Sequence, residues 1–99
     1  MSELRVVATI PAKPEAVDAI RSALQALARA TRDEEGCLAY DLFESAAAPG
    51  TFVTVERWTD QAALDAHLQT PHVADAFAAA DGALAGEVAI HPLLPVHAG

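Results

Sequence analysis

The hydrophobic positions of this chain recur with two different periods, and their order predicts three helices and four strands. Apolar residues at three- and four-residue steps over residues 17–31 predict an amphipathic helix, which Gly36 ends. Runs rich in β-branched and aromatic side chains predict strands over residues 4–10, 37–45, 52–59 and 87–96.

Two further helices are predicted between the third and fourth strands. Asp60 is placed to cap the first of them, and Thr70 followed by Pro71 caps and begins the second. A Pro-Gly pair between strands two and three predicts a turn that joins them in an antiparallel hairpin. Pro92 removes a backbone donor from the last strand, which favours an edge position in the sheet.

This order of elements predicts an α+β fold of the ferredoxin-like βαββαβ type, with the second helix split in two. Its four-stranded antiparallel sheet would carry the helices on one face. The predicted domain spans residues 4–93, and residues 94–99 form a C-terminal tail. Apolar side chains also point to the other face of the sheet, which predicts a homodimer that buries this face.

Composition and charge narrow the class of protein. Six basic against fourteen acidic residues give the 99-residue chain a net charge of −8, which disfavours nucleic acid and anionic membranes as partners. The single cysteine, Cys37, follows the acidic residues 33–35, which favours a buried structural thiol over a nucleophile. Those three acidic residues are predicted to form a solvated helix end.

No signal peptide or membrane-spanning run is recognisable, so we predict a soluble, cytoplasmic protein.

The segments EEGCLAYDLFE and FVTVERWTDQAALDAHLQTPHV resemble the antibiotic biosynthesis monooxygenase family. The similarity extends from about Leu4 to about Leu93, and its most specific parts are Gly36-Cys37-Leu38 with Tyr40, Glu56-Arg57-Trp58, and His67 and His72 around Thr70-Pro71. The resemblance implies a ferredoxin-like monomer that pairs through its sheet into a dimeric α+β barrel. It also implies a small pocket between sheet and helices, in which several members oxygenate aromatic or quinol-type substrates without flavin, haem or metal.

One departure from the family pattern bears on the reaction. The chain contains no asparagine, whereas the haem-degrading branch and the antibiotic-pathway oxygenases both use one in their sites. The haem-degrading branch is therefore disfavoured, and so is an asparagine-dependent activation of oxygen in this chain.

Glu56 and Trp58 lie two residues apart on one predicted strand, so their side chains point to the same face. In the functional interpretation, Trp58 walls an aromatic pocket and Glu56 orients or deprotonates a phenolic group. In the structural alternative, Trp58 packs against the helices and Glu56 pairs with an arginine or a backbone amide. In either case a buried carboxylate requires a partner.

Two histidines are further candidates for catalysis. His67 lies on the core side of its helix and His72 opens the next helix, so the pair could act as a base and an orienting group. The alternative is that His67 packs between helices and His72 makes a local hydrogen bond. Their five-residue spacing across a proline is not that of a helical metal site, so no metal is predicted. The predicted pocket lining also includes Tyr40, Phe77, Thr9 and His91.

We therefore predict a homodimeric, cofactor-independent monooxygenase that acts on a small aromatic or quinol-type substrate with molecular oxygen. Its catalytic candidates are Glu56, His67 and His72. The deprotonated substrate would itself reduce oxygen, so the protein need supply only an apolar pocket, a base and orientation. Two alternatives stay open. One is an isomerase or other proton-transfer enzyme that uses the same pocket, and the other is a non-catalytic small-ligand-binding dimer.

Overall fold

The computed structural model describes residues 3–97, in which four antiparallel strands form one sheet. The strands are β1 (Leu4–Pro11), β2 (Cys37–Glu44), β3 (Thr51–Trp58) and β4 (Ala89–Leu93), in the spatial order β2-β3-β1-β4. The helices are α1 (Val17–Arg32), α2 (Gln61–Leu68) and α3 (Pro71–Ala80), and a 3₁₀ turn over Pro14–Ala16 precedes α1. The predicted ferredoxin-like fold is confirmed, including the division of its second helix into α2 and α3.

The ends of the elements agree with the predicted caps and differ in the last strand. Asp60 and Thr70 cap α2 and α3 through their side chains. The last strand is shorter than the predicted 87–96, because Val88 packs into the core and the backbone pairs with β1 only from Ala89 onwards. β4 pairs with β1 alone and is therefore an edge strand. Residues 98 and 99 of the predicted tail lie outside the described residues.

One face of the sheet packs against the helices and forms the core. Because successive side chains of a strand alternate between faces, β1 and β3 each send every second residue into this layer. Those residues are buried, and they are Val6, Ala8 and Ile10 from β1 and Phe52, Thr54, Glu56 and Trp58 from β3. The apolar stripe of α1 covers them with Ile20, Leu24 and Leu27. Within residues 3–97, no helix is long and apolar enough to span a bilayer.

The opposite face of the sheet remains open in a single chain. Val7 and Val53 on this face are partly buried, whereas Val55 and Phe43 are 44% and 54% exposed. Four neighbouring apolar side chains on one face of a sheet form the kind of patch that soluble monomers rarely leave uncovered.

A β-bulge in β2 changes the orientation of Cys37. Strict alternation would place Cys37 on the same face as Phe43, away from Tyr40. The strand register shifts between Cys37 and Ala39, so that Leu38 is the extra residue. Cys37 therefore packs with Tyr40 on the helix face, and Leu38 is half exposed.

Thr31 leaves one polar atom unsatisfied inside the core. Its side chain is fully buried in α1, and Oγ1 has no hydrogen-bond partner within residues 3–97. Valine has nearly the same shape and no hydroxyl. We expect Thr31→Val to raise the free energy of unfolding in urea by about 1 kcal/mol, because an unpaired buried hydroxyl costs about that much or more. Thr31→Ser keeps the hydroxyl and removes a methyl group, so it should lower stability. A valine variant no more stable than the wild type would contradict this account.

Candidate active site

A pocket lies between the helix face of the sheet and helices α1, α2 and α3. The volume that it encloses is about 70 Å³, and the figure rises to about 590 Å³ only when open solvent at the mouth is included. Leu24, Leu27 and Val73 belong to its apolar walls. Its exposed large apolar lining residues mark the mouth, and these are Leu68, Phe77 and Ile90. A pocket with such walls suits a small, mainly apolar ligand.

Three polar side chains interrupt the apolar lining. Tyr40, Glu56 and His67 project from β2, β3 and α2, and all three residues are buried. Sheet and helix therefore converge on one polar end of the pocket. No lysine or arginine is among the lining residues that belong to the described part of the chain. The polar end thus offers a hydroxyl, a carboxylate and an imidazole to a ligand, but no cation with a fixed charge.

The Glu56 carboxylate is held by two neighbours on its own strand. Trp58 Nε1–H donates a hydrogen bond to Oε1 at 2.9 Å, and the Thr54 hydroxyl donates one to Oε2 at 2.6 Å. The three side chains meet because residues two apart on a strand share a face. Glu56 therefore has partners, as a buried carboxylate must, but they are an indole and a hydroxyl instead of the predicted arginine or backbone amide.

Trp58 does not form the predicted wall of the pocket. It is fully buried and lies outside the pocket lining, in a cluster with Val6, Ala28 and Leu64. The physical reason is its position at the end of β3, where the indole packs beneath His67 with ring centroids 4.8 Å apart. Trp58 therefore positions two pocket residues without lining the pocket, since it donates a hydrogen bond to Glu56 and packs against the ring of His67.

Tyr40 supplies a neutral hydroxyl to the polar end. Burial and the nearby Glu56 carboxylate raise the pKa of Tyr40. The phenol therefore keeps its proton at neutral pH. Its ring lies 5.7 Å from that of His67, measured between centroids, so Tyr40 can orient a ligand as a hydrogen-bond donor.

His67 and His72 are brought together by a carboxylate outside the pocket. Nδ1 of His67 lies 2.6 Å from Oε2 of Glu34, and Nε2 of His72 lies 2.7 Å from the same oxygen. His67 also lines the pocket, whereas His72 does not. The two predicted catalytic histidines therefore share Glu34, and only His67 faces the space where a ligand would bind.

Glu34 is the site residue that the sequence pattern missed. It was expected to be solvated with its neighbours, and Asp33 and Glu35 are indeed exposed, but the side chain of Glu34 is only 13% exposed. Gly36 explains the difference. Its φ is +89°, and a Cβ atom there would lie 2.7 Å from Cβ of Ala63, so the loop packs tightly against α2. Two features of the sequence could have indicated that Glu34 is buried. A glycine follows the acidic run directly, and the two candidate histidines had no acidic partner assigned to them.

Of the other predicted lining residues, one lines the pocket and two lie on the opposite face of the sheet. Phe77 lines the pocket at its mouth. Thr9 and His91 do not line it, contrary to the prediction. The lining residues of β1 and β4 are Ala8, Ile10 and Ile90, and strand alternation turns their neighbours Thr9 and His91 to the opposite face.

Glu34, His67 and His72 each offer one potential metal-ligand atom, and these atoms lie within 4.8 Å of one another. This third ligand was not apparent from the spacing of the histidines. Ligands about 2.0 Å from a tetrahedral zinc ion would lie about 3.3 Å apart. The two nitrogens approach the Glu34 oxygen more closely than that, at 2.6 and 2.7 Å. The geometry is therefore that of two hydrogen bonds to one oxygen, and a metal ion would require the cluster to spread.

The environment of Cys37 disfavours its thiolate. Burial and the acidic Glu34 and Glu56 raise the pKa of the thiol. Because the pKa is higher in the folded than in the unfolded chain, folding lowers the thiolate fraction at pH 8.5. We expect iodoacetamide to alkylate Cys37 roughly tenfold more slowly in native buffer than in concentrated urea, with mass spectrometry as the readout and N-acetylcysteine as the control for urea. Equal rates in both solvents would contradict this expectation.

Comparisons with known proteins agree with the fold. The family model described as antibiotic biosynthesis monooxygenase matches residues 4–79. The chain is 38% identical over 95 residues to "Putative monooxygenase Rv0793" of Mycobacterium tuberculosis, covering 96% of this chain and 93% of that protein. It is 43% identical over 65 residues to "Putative monooxygenase YcnE" of Bacillus subtilis, covering 66% and 68%. A crystal structure of an antibiotic biosynthesis monooxygenase superposes with a TM-score of 0.88 at 36% identity, over 95% of this chain and 99% of that one.

Proposed function

Because the chain belongs to the antibiotic biosynthesis monooxygenase family, we propose that it oxygenates a small, neutral aromatic substrate that carries a hydroxyl group. Molecular oxygen is the second substrate, and no cofactor takes part. The observation that carries the proposal is the pocket, whose apolar walls end at Tyr40, Glu56 and His67. Such a pocket can bind an aromatic ring and present its hydroxyl group to polar side chains.

The charge of the lining favours a neutral phenol over an anionic substrate. No lysine or arginine among the described residues lines the pocket, and the chain has a net charge of −8. The Glu56 carboxylate would repel a phosphate or carboxylate in this poorly hydrated space. These features count against the isomerase alternative for any substrate that carries a phosphate group.

A phenol with a free para position can be oxidised by oxygen without an outside reductant. A base removes the hydroxyl proton, and the phenolate passes one electron to O₂. The resulting superoxide then joins the ring at the para carbon, and the base returns its proton to form a hydroperoxide. Loss of the para C–H proton to the base breaks the O–O bond, and the departing hydroxide takes that proton and leaves as water. The products are a quinone and one water, and the base is regenerated.

Oxygen uptake with 1-naphthol tests this reaction directly. We expect uptake of one O₂ per naphthol and formation of 1,4-naphthoquinone, seen by its absorbance. In 4-methyl-1-naphthol the para position is blocked, so it should bind without forming the quinone. 1-Naphthyl phosphate should not bind, because the lining offers it no cation. A pocket that bound none of a panel of neutral phenols would contradict the proposal, and consumption of a phenol without oxygen uptake would favour the proton-transfer alternative.

We further propose that the protein is a cytoplasmic homodimer, built from a domain over residues 4–93 that pairs through the open face of its sheet. The exposed Val55 and Phe43 on that face support this arrangement. In sedimentation at micromolar concentration we expect a dimer for the wild type. The Val55→Lys variant should be a monomer, because two copies would bury the added charge. Asp75→Lys, at an exposed position on α3, is the control. A monomeric wild type would contradict the proposed pairing.

A further inference from the structure

The contact between His67 and Glu34 decides which ring nitrogen of His67 carries the proton. A carboxylate accepts hydrogen bonds and has none to donate, so Nδ1, at 2.6 Å from Glu34 Oε2, is the protonated nitrogen of the neutral ring. Nε2 is then the nitrogen with a free lone pair. Nε2 has no hydrogen-bond partner in the protein, yet it is not fully buried. Within residues 3–97, the only side-chain polar atom that is both fully buried and without a partner is Thr31 Oγ1. His67 lines the pocket, and its Nδ1 is engaged by Glu34, which lies outside the lining, so Nε2 is the ring nitrogen available to a ligand in the pocket.

We propose that Glu34 is a positioning residue, which holds His67 in the tautomer whose free Nε2 meets the hydroxyl of a phenolic substrate. His67 is then the base of the proposed reaction. This inference rests on the proposed function for its chemistry, although the tautomer itself does not. Once Nε2 has taken the proton, the imidazolium stays beside the Glu34 carboxylate, and their opposite charges attract in this poorly solvated site.

The contacts of Glu56 explain why it is the weaker candidate for the base. Both of its oxygens already accept hydrogen bonds, from Trp58 at 2.9 Å and from Thr54 at 2.6 Å. To accept a substrate proton, Glu56 would have to weaken these contacts. His67 Nε2 accepts no hydrogen bond before the substrate arrives, so proton transfer to it disrupts no hydrogen bond within the protein.

His72 completes the arrangement by holding Glu34 from the solvent side. Its Nε2–H donates to the same Oε2 that accepts from His67, at 2.7 Å. The exposed fractions of the three side chains rise outwards, from 6% for His67 to 13% for Glu34 and 27% for His72. His72 therefore fixes the carboxylate and partly covers it, and it acts on the reaction through Glu34 without touching the substrate.

The tautomer of His67 can be tested in the ligand-free protein by ¹⁵N NMR of the histidine rings above neutral pH. We expect a protonated Nδ1 and an unprotonated Nε2 for His67 in the wild type. Glu34→Gln keeps an acceptor oxygen and should keep this tautomer, whereas Glu34→Ala should lose it. Glu35→Ala, an exposed neighbour, is the matched control. A wild-type His67 protonated at Nε2 would overturn the proposal, as would tight, saturable binding of Zn²⁺ through Nδ1.

Turnover of 1-naphthol supplies the second arm of the experiment. We expect Glu34→Ala to lower kcat about a hundredfold with little change in KM, because the substrate still binds but meets a misplaced ring. Glu35→Ala should leave both constants unchanged. Full turnover by a Glu34→Ala protein that retains its fold would overturn the positioning role. If the wild type oxidises no phenol, the proposed function fails, and the NMR result still decides the tautomer.

Discussion

Replacing His67 by glutamine is expected to lower the turnover number for phenols such as 1-naphthol by about 10²- to 10⁴-fold, the range that a positioned general base contributes. Glutamine has a similar size and polarity, but its amide cannot take up a proton at neutral pH. The pocket walls remain, so binding of the substrate should change much less than turnover. Initial rates of oxygen uptake separate kcat from KM, and fluorescence titration with 4-methyl-1-naphthol measures binding independently.

The chain offers a matched control for this substitution. His97 lies in the exposed C-terminal segment, and His97→Gln should leave both constants unchanged. Wild-type turnover by the His67→Gln protein would show that His67 is not the base. Glu56 would then be the remaining candidate for the base among the pocket residues. Loss of binding in parallel with turnover would instead indicate that His67 serves mainly to hold the ligand.

Replacing Glu56 by alanine is expected to lower the free energy of unfolding by about 2–6 kcal/mol. The carboxylate accepts from Trp58 Nε1–H and from the Thr54 hydroxyl, and all three side chains are almost completely buried. Removing the acceptor leaves two donors without partners in a site with little water, at about 1–3 kcal/mol for each. Urea denaturation followed by tryptophan fluorescence measures the loss and reports on the only indole in the chain.

Glutamine at the same position separates this structural role of Glu56 from a chemical one. The amide oxygen of Glu56→Gln still accepts from Trp58, and the Thr54 hydroxyl can rotate to accept from the amide nitrogen. We therefore expect a loss below about 1 kcal/mol for glutamine, and wild-type stability for Glu87→Ala at an exposed position. Equal losses for alanine and glutamine would mean that charge, not hydrogen bonding, is what the site requires.

The sequence predicts most of the fold because the relevant signals are local. The periodic apolar residues of α1, the caps Asp60 and Thr70, and the Pro-Gly turn each act within a few residues, and the structure contains each of them. The strand pattern also places Glu56 and Trp58 on one face correctly. Such agreement between local preferences and the whole fold is typical of natural sequences.

The composition of the site depends on contacts that no local pattern encodes. Glu34 looks like part of a solvated acidic run, and it is buried only because Gly36 lets its loop pack against α2. Cys37 changes face because a bulge inserts Leu38 into the strand. Thr9 and His91 have side chains that could line a pocket. However, the packing of the whole sheet determines which alternate side chains of each strand face the helices.

Strand β1 depends on partners that are distant in sequence. Leu4 pairs with Trp58, and Arg5 pairs with Leu93. The β2–β3 hairpin and α1 can form early from neighbouring residues, whereas β4 docks only across a long separation in sequence, which makes it a slow and late step. Because Val88 and Ile90 line the pocket, the lining of the pocket is incomplete until β4 has docked. During synthesis on the ribosome, the binding site is therefore completed only after β4 has emerged, and no substrate can assist the folding that precedes it.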